Sequence, residues 1–147
     1  MSIIEASMQL QERHWGGLIV IQKETGLRSY KEQGTQLKAE VTAPLLVSIF
    51  NPSSPLHDGA VIIQNDIIDA AACILPLTES KMIDPEMGTR HRAALGISEE
   101  TDAIVVLISE EKARISVAED GRFSHIGIDE VGLQKFLNDK MFISSGD

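Results

Sequence analysis

Aromatic residues make up only 4% of the 147-residue chain, so a core must be built mostly from Ile, Val, Leu and Ala. The single cysteine, Cys73, excludes an intrachain disulfide framework and makes the cytoplasm the default compartment. It lies in the apolar run Ala72-Cys73-Ile74 and reads as a small buried hydrophobe, not a reactive thiol. No apolar run approaches the ~18 residues of a membrane span. No charged-then-apolar leader precedes a cleavage site, so neither an anchor nor a signal peptide is expected. Positive charge is also scarce: 13 Lys and Arg stand against 22 Asp and Glu, a formal charge of −9. That balance argues against bulk nucleic-acid binding, which needs a positive surface. It leaves room for a small phosphate ligand, because a few arginines in a pocket can hold one on an acidic protein. A Walker A loop, a Gly-x-Gly-x-x-Gly fingerprint, Cys/His zinc spacing and a Gly-x-Ser-x-Gly elbow are all missing.

What remains is a 43% hydrophobic chain without repeats or low-complexity tracts, which reads as one domain over residues 1–147. Ser2-Ile3-Ile4-Glu5 fits a capping box opening an amphipathic helix over 2–13. Gly16-Gly17 opens a central strand, Leu18–Ile21, and Glu24-Thr25-Gly26 makes a turn. Thr42 as N-cap, Pro44 in the first turn and Pro52 beyond the end frame a helix around 42–50. Val61–Gln64 and Ile67–Ile74 flank Asn65-Asp66 as a hairpin. After Leu75-Pro76-Leu77 a polar loop runs to about Met87. A short helix follows over Arg90–Leu95, ended by Gly96. Ala103–Ile108 is a second buried strand, and Asp120-Gly121 turns a further hairpin between residues 113–118 and 122–126. Asp129 caps a final helix with Val131, Leu133, Phe136, Leu137 and Met141 near one face. Interleaved helices and tightly turned strands predict an α/β fold, a mixed sheet with helices packed on it.

Three segments can carry chemistry. Leu56-His57-Asp58-Gly59-Ala60 is a tight loop before a strand. Alone it is most simply a turn. Functionally, Gly59 and Ala60 leave backbone amides open to a ligand, and Asp58 can hold a divalent metal or steer a hydroxyl. His57 either packs on its neighbours or joins as a ligand. Gly88-Thr89-Arg90-His91-Arg92 places three basic side chains at a helix start with Thr89 as N-cap. Cations there oppose the macrodipole unless an anion arrives, although a solvated basic turn is equally open from this fragment alone. Ser109-Glu110-Glu111 follows a strand, where Ser109 can bond a phosphate and Glu110 or Glu111 can bind Mg²⁺ or Mn²⁺; a plain charged turn is the other reading. Together they form a kit for phosphoryl or nucleotidyl transfer, without deciding which transfer.

His57-Asp58-Gly59-Ala60, then Gly88-Thr89-Arg90-His91-Arg92-Ala93-Ala94-Leu95-Gly96-Ile97-Ser98, then Ser109-Glu110-Glu111 resemble, in order and separation, the signature of the diadenylate cyclase domain. The likeness runs from about Gly17 to Phe123. It implies an enzyme that condenses two ATP into cyclic di-AMP and two pyrophosphates, each subunit holding one ATP in a face-to-face homo-oligomer. By that likeness Asp58 and Glu111, with His57 beside them, would hold Mg²⁺ or Mn²⁺, and Asp58 would lie near the attacking hydroxyl. Gly59 and Ala60 would make room for the nucleotide, and the Leu75 backbone would read adenine. Gly88, Thr89, Arg90, His91, Arg92 and Ser109 would bind the phosphates, with Arg90, His91 and Arg92 taking part in catalysis. Without membrane helices or a DNA-binding extension, the chain resembles the small soluble sporulation-linked class, with residues 1–14 either the remnant of a helical arm or a short N-terminal helix. A piece of a membrane-bound parent is the alternative origin. A non-catalytic module that senses ATP or cyclic di-AMP is the competing function, and a protein-interaction domain the third.

Overall fold

The strand sequences GLIVI, AVIIQ and IVVLIS offer apolar side chains on both faces, which demands cover on both sides of a sheet. The computed structural model describes residues 1–80 and 87–144, with side chains to 140, and supplies that cover. In chain order the elements are α1 (Ser2–Arg13), β1 (Gly17–Ile21), α2 (Arg28–Glu32), β2 (Thr35–Glu40), α3 (Ala43–Phe50) and β3 (Ala60–Gln64). They continue as β4 (Ile67–Cys73), α4 (Thr89–Glu100), β5 (Ile104–Ser109), β6 (Arg114–Glu119), β7 (Arg122–Ile126) and α5 (Glu130–Ser144). The strands form one seven-stranded sheet in the order β2-β4-β3-β1-β5-β6-β7. Its β1–β3 pairing is parallel and the others antiparallel, so the mixed α/β architecture expected from the sequence is the one observed.

Alternate residues of β1 feed two separate cores. Ile19 and Ile21 join Leu10, Leu46, Phe50, Leu133 and Leu137 under α1, α3 and α5. Leu18 and Val20 join Ala94, Leu95 and Ile97 under α4 on the other face. Cys73 is fully buried, and burial pushes its thiol up to about 11, which leaves it protonated and inert. The two hairpins turn where expected. Asn65 and Asp66 (φ 50° and 64°), and Asp120 and Gly121 (φ 52° and 76°), take the left-handed pair that matches strand twist. Thr42 caps α3 by accepting the Leu45 N–H at 3.2 Å, and Asp129 Oδ1 accepts the Gly132 N–H at 2.7 Å at the start of α5.

Several expectations need correction. The capping box at Ser2 does not form, because Met1 holds the N-cap position and its carbonyl accepts the Glu5 N–H. Thr89 is not the N-cap of α4 but its first residue; Gly88 precedes it and makes no side-chain cap. The helix does not end at Gly96 but runs on to Glu100, with Gly96 buried in its middle. Val131 lies away from the core at 77% exposure, so the buried face of α5 rests on Leu133 and Leu137. The Met141 side chain falls outside the described residues, as do positions 81–86 of the loop after Leu77. Finally, α2 and the edge strand β2 are additions. Residues 28–40 are polar and largely exposed, and a bulge around Lys38 (φ 51°) interrupts the alternation that would have marked a strand.

Candidate active site

Sheet topology brings the three segments to one end. In the antiparallel β1–β5 pair Gly17 lies opposite Ile108, so the amino end of β1 sits beside the carboxyl end of β5. The parallel register Ile19↔Val61 carries back to place Asp58-Gly59 beside that same end. The β5–β6 turn adds Glu110 to Ala113, closing on the Ser109↔Arg114 pair. Leucine 75 leaves β4 here as well, since Cys73 pairs with Ala60. The site therefore combines amino ends of β1 and β3 with the carboxyl end of β5. The parallel β1–β3 pair sets the two amino ends side by side, and the antiparallel β1–β5 pair brings in the carboxyl end.

Between these ends and the first turn of α4 lies a cavity of about 620 Å³. Of the expected site residues it gathers Asp58, Gly59, Gly88, Thr89, Arg90, His91, Ser109 and Glu111. Four others stand back. Ala60 is fully buried as the first residue of β3, where its small size serves packing. The Leu75 side chain is buried in the core. Arg92 lies one residue beyond the cavity wall, its backbone carbonyl accepting the Thr78 N–H at 3.0 Å. His57 Nδ1 lies 2.7 Å from the Ser54 carbonyl, which can only accept, so the ring braces its own loop with Nε2 3.4 Å from Asp58 Oδ1. Gly59 has φ +88°, and a Cβ there would come within 2.8 Å of the Ala72 and Cys73 backbones. Its smallness is thus required by the sheet itself.

Lys112 and Arg114 also line the cavity, although the motifs did not single them out. Both sat in what read as a plain charged turn and an alternating strand. Arg114 Nε is buried without a hydrogen-bond partner among the described residues, which marks it as ready for an acceptor. At the opposite wall the Arg90 guanidinium lies 3.6 Å from Glu110 Oε2. Arg92 N–H makes the first helical bond of α4, to Gly88, so the amides of Thr89, Arg90 and His91 have no acceptor within the helix. His91 sits amid this positive charge. Burial lowers its pKa, and Arg114, Lys112 and Arg90 lower it further, against a smaller opposing pull from Glu111. The cavity lining therefore mixes the cations Arg90, Lys112 and Arg114 with the carboxylates Asp58, Glu110 and Glu111. A lining that offers both signs suits a polyphosphate with a divalent cation.

A family profile described as "DisA bacterial checkpoint controller nucleotide-binding" matches residues 4–123. The chain belongs to the diadenylate cyclase family. Among its relatives, the cyclic di-AMP synthase CdaA of Bacillus subtilis (strain 168) is 47% identical over 136 residues, which cover 92% of this chain and 50% of that protein. The diadenylate cyclase CdaS of Bacillus thuringiensis (strain BMB171) is 51% identical over 119 residues, 81% of this chain and 59% of that one. The chain thus spans about half to three fifths of these family members. The crystal structure of DacA from Staphylococcus aureus, a double mutant, superposes with a TM-score of 0.90 at 44% identity, covering 93% of this chain and 91% of that one. The family therefore extends over the sheet, α1 and α4 alike. No helix among the described residues is long and apolar enough to cross a membrane.

Proposed function

We propose that the chain is the catalytic domain of a cytoplasmic diadenylate cyclase that condenses two ATP into cyclic di-AMP and two pyrophosphates. The observation that carries this reading is the single cavity in which Asp58-Gly59, the start of α4 and the Ser109–Arg114 segment converge. In each half-reaction the 3′-hydroxyl oxygen of one ATP forms a bond to the α-phosphorus of the other. The bond from that phosphorus to the bridging oxygen breaks, pyrophosphate leaves, and the hydroxyl proton passes to a base. We assign Asp58, exposed at the cavity rim, to take that proton or to orient the hydroxyl. Arg90, Lys112 and Arg114, with the α4 amides and Ser109, neutralise and hold the triphosphate.

A divalent cation fits the donor set. Asp58, Glu110 and Glu111 are hard oxygen ligands around one cavity, yet no group of three acidic, His or Cys side chains among the described residues forms a ready-made metal cluster. Such a half-built site is what Mg²⁺ or Mn²⁺ uses when substrate phosphates complete its shell. Asp58 and Glu111 would hold the ion, which supplies charge neutralisation at the reacting phosphate.

Incubation with ATP and Mn²⁺ or Mg²⁺, with the nucleotides separated by chromatography, tests the reading. Cyclic di-AMP is the expected product; unreacted ATP from folded, dimeric protein would leave a binding module instead. Because each subunit supplies half of the reaction, activity per mole should rise with protein concentration as faces pair. A specific activity independent of concentration through the monomer–dimer range would exclude the paired arrangement.

His91 adds a pH signature. Its depressed pKa keeps the ring neutral when the cavity holds no anion, and a bound triphosphate favours the imidazolium. ATP binding should therefore take up a proton on the acidic side of neutrality and tighten as pH falls through that range. Calorimetry in buffers of different ionisation enthalpy measures the uptake. It should diminish in His91→Asn, while the nucleotide's own protonation remains common to both proteins.

A further inference from the structure

Gly16, between α1 and β1, is buried although it carries no side chain. A Cβ built on it would lie 2.5 Å from Arg90 Nη1, 2.6 Å from Cζ and 3.1 Å from Nε. The guanidinium thus occupies the space that any other residue at position 16 would fill. We propose that Gly16 is a positioning residue: its bare backbone is the seat that sets the Arg90 guanidinium in the cavity wall. The inference rests on the cyclase reading, because it gives Arg90 a phosphate to hold.

The seat is rigid and the arginine is not. Gly17 is pinned by its pairing with Ile108, and a Cβ there would already meet Leu10 Cδ1 at 3.1 Å. The end of α1 is locked by the left-handed His14 cap, whose N–H bonds to Gln11, and by the Trp15 N–H bond to Leu10. Gln11 Nε2 reaches across to the Ala113 carbonyl at 2.9 Å, tying α1 to the turn that presents Glu110, Glu111 and Lys112. Arg90 is the far end of a flexible side chain, and its 3.6 Å approach to Glu110 is too long to hold it against a clash. Gly16 does not have the positive φ that penalises a side chain, so alanine meets no backbone strain there. A methyl at 16 therefore moves the guanidinium and leaves the main chain in place.

A double-mutant cycle read by nucleotide affinity tests this. The probe is 3′-deoxy-ATP, which lacks the attacking hydroxyl and cannot be cyclised, titrated calorimetrically with Mg²⁺ into wild type, Gly16→Ala, Arg90→Ala and the double variant. Gly16→Ala should bind about tenfold more weakly, the scale of one lost charged hydrogen bond. In the Arg90→Ala background the same methyl should change affinity by less than about twofold, because its effect runs through Arg90. Wild-type affinity in Gly16→Ala, or a full further loss in the double variant, overturns the proposal. Thermal melts of all four proteins cover the case of a folding defect. If Gly16→Ala unfolds and the double variant does not, the clash is with Arg90 as proposed; if both unfold, it is not. Failure of the wild type to bind the analogue would instead bring down the cyclase reading, and this inference with it.

Discussion

Asp58→Asn should abolish cyclic di-AMP formation while leaving the fold and nucleotide binding intact. The side chain is 88% exposed at the cavity rim, so the isosteric amide removes no packing and the melting temperature should not move. What it removes is the negative charge. An amide is too weak a base to take the proton and brings no charge to a divalent cation beside the phosphate, so the first role proposed for Asp58 is lost and the second weakened. The turnover rate should fall about a thousandfold or more, the upper scale for deleting one electrostatic partner of a transition state. Nucleotide affinity should change by a few-fold at most, since in the proposed function the triphosphate is gripped mainly by Arg90, Lys112 and Arg114. Chromatographic product assay and calorimetry with 3′-deoxy-ATP separate the two effects. Turnover within tenfold of wild type would remove Asp58 from the chemistry; an equal loss of binding would make it a ligand-holding residue only.

The parts of the fold that were legible in the sequence are those where one force dominates. Leu18–Ile21 and Ala103–Ile108 are apolar at every position because both faces of the sheet are covered, and their shortness and β-branched content favour strand over buried helix. The Asn65-Asp66 and Asp120-Gly121 turns were legible because few residues take a left-handed pair. Residues 28–40 were not, since an edge strand with exposed faces carries no burial pattern. The site divides in the same way. Asp58, Arg90 and Glu111 belong to recognisable motifs, whereas Lys112, Arg114 and Gly16 matter only through neighbours distant in sequence. Gly16 looks like a strand opener until Arg90 is seen lying over it. Ala60 shows the converse: a motif residue whose smallness is explained by burial in β3.

Gly96→Ala should be among the most destabilising single-methyl substitutions in the chain, although alanine in a helix is ordinarily favoured over glycine by about 1 kcal/mol. Position 96 read as a helix stop because glycine so often ends helices. The structure gives a different reason. A Cβ there would overlap the Pro76 carbonyl oxygen, with the Pro76 carbonyl carbon at 2.6 Å and the Leu77 carbon at 3.1 Å. These are backbone atoms, and they cannot swing aside as Arg90 can beside Gly16. The segment is clamped on both sides of the contact: Thr78 N–H bonds to the Arg92 carbonyl at 3.0 Å, and Thr78 Oγ1 donates to Glu99 at 2.7 Å. To admit the methyl, α4 must lift from the sheet, loosening Leu95 and Ile97 from their core, or the Thr78 bonds must break. Overpacking of this kind costs roughly 3 kcal/mol once the lost hydrogen bonds are included. For a chain of this size that is a fall of about 10 °C in melting temperature. Gly26→Ala, where no atom lies within 4 Å of the added carbon, is the control and should melt like wild type. Because α4 carries Thr89, Arg90 and His91 on its first turn, Gly96→Ala protein that is still folded at low temperature should also bind nucleotide less tightly. Differential scanning calorimetry and titration with 3′-deoxy-ATP measure both. A variant as stable as wild type would mean that the 75–78 segment yields to α4, and that the helix owes its placement over the cavity to something other than this contact.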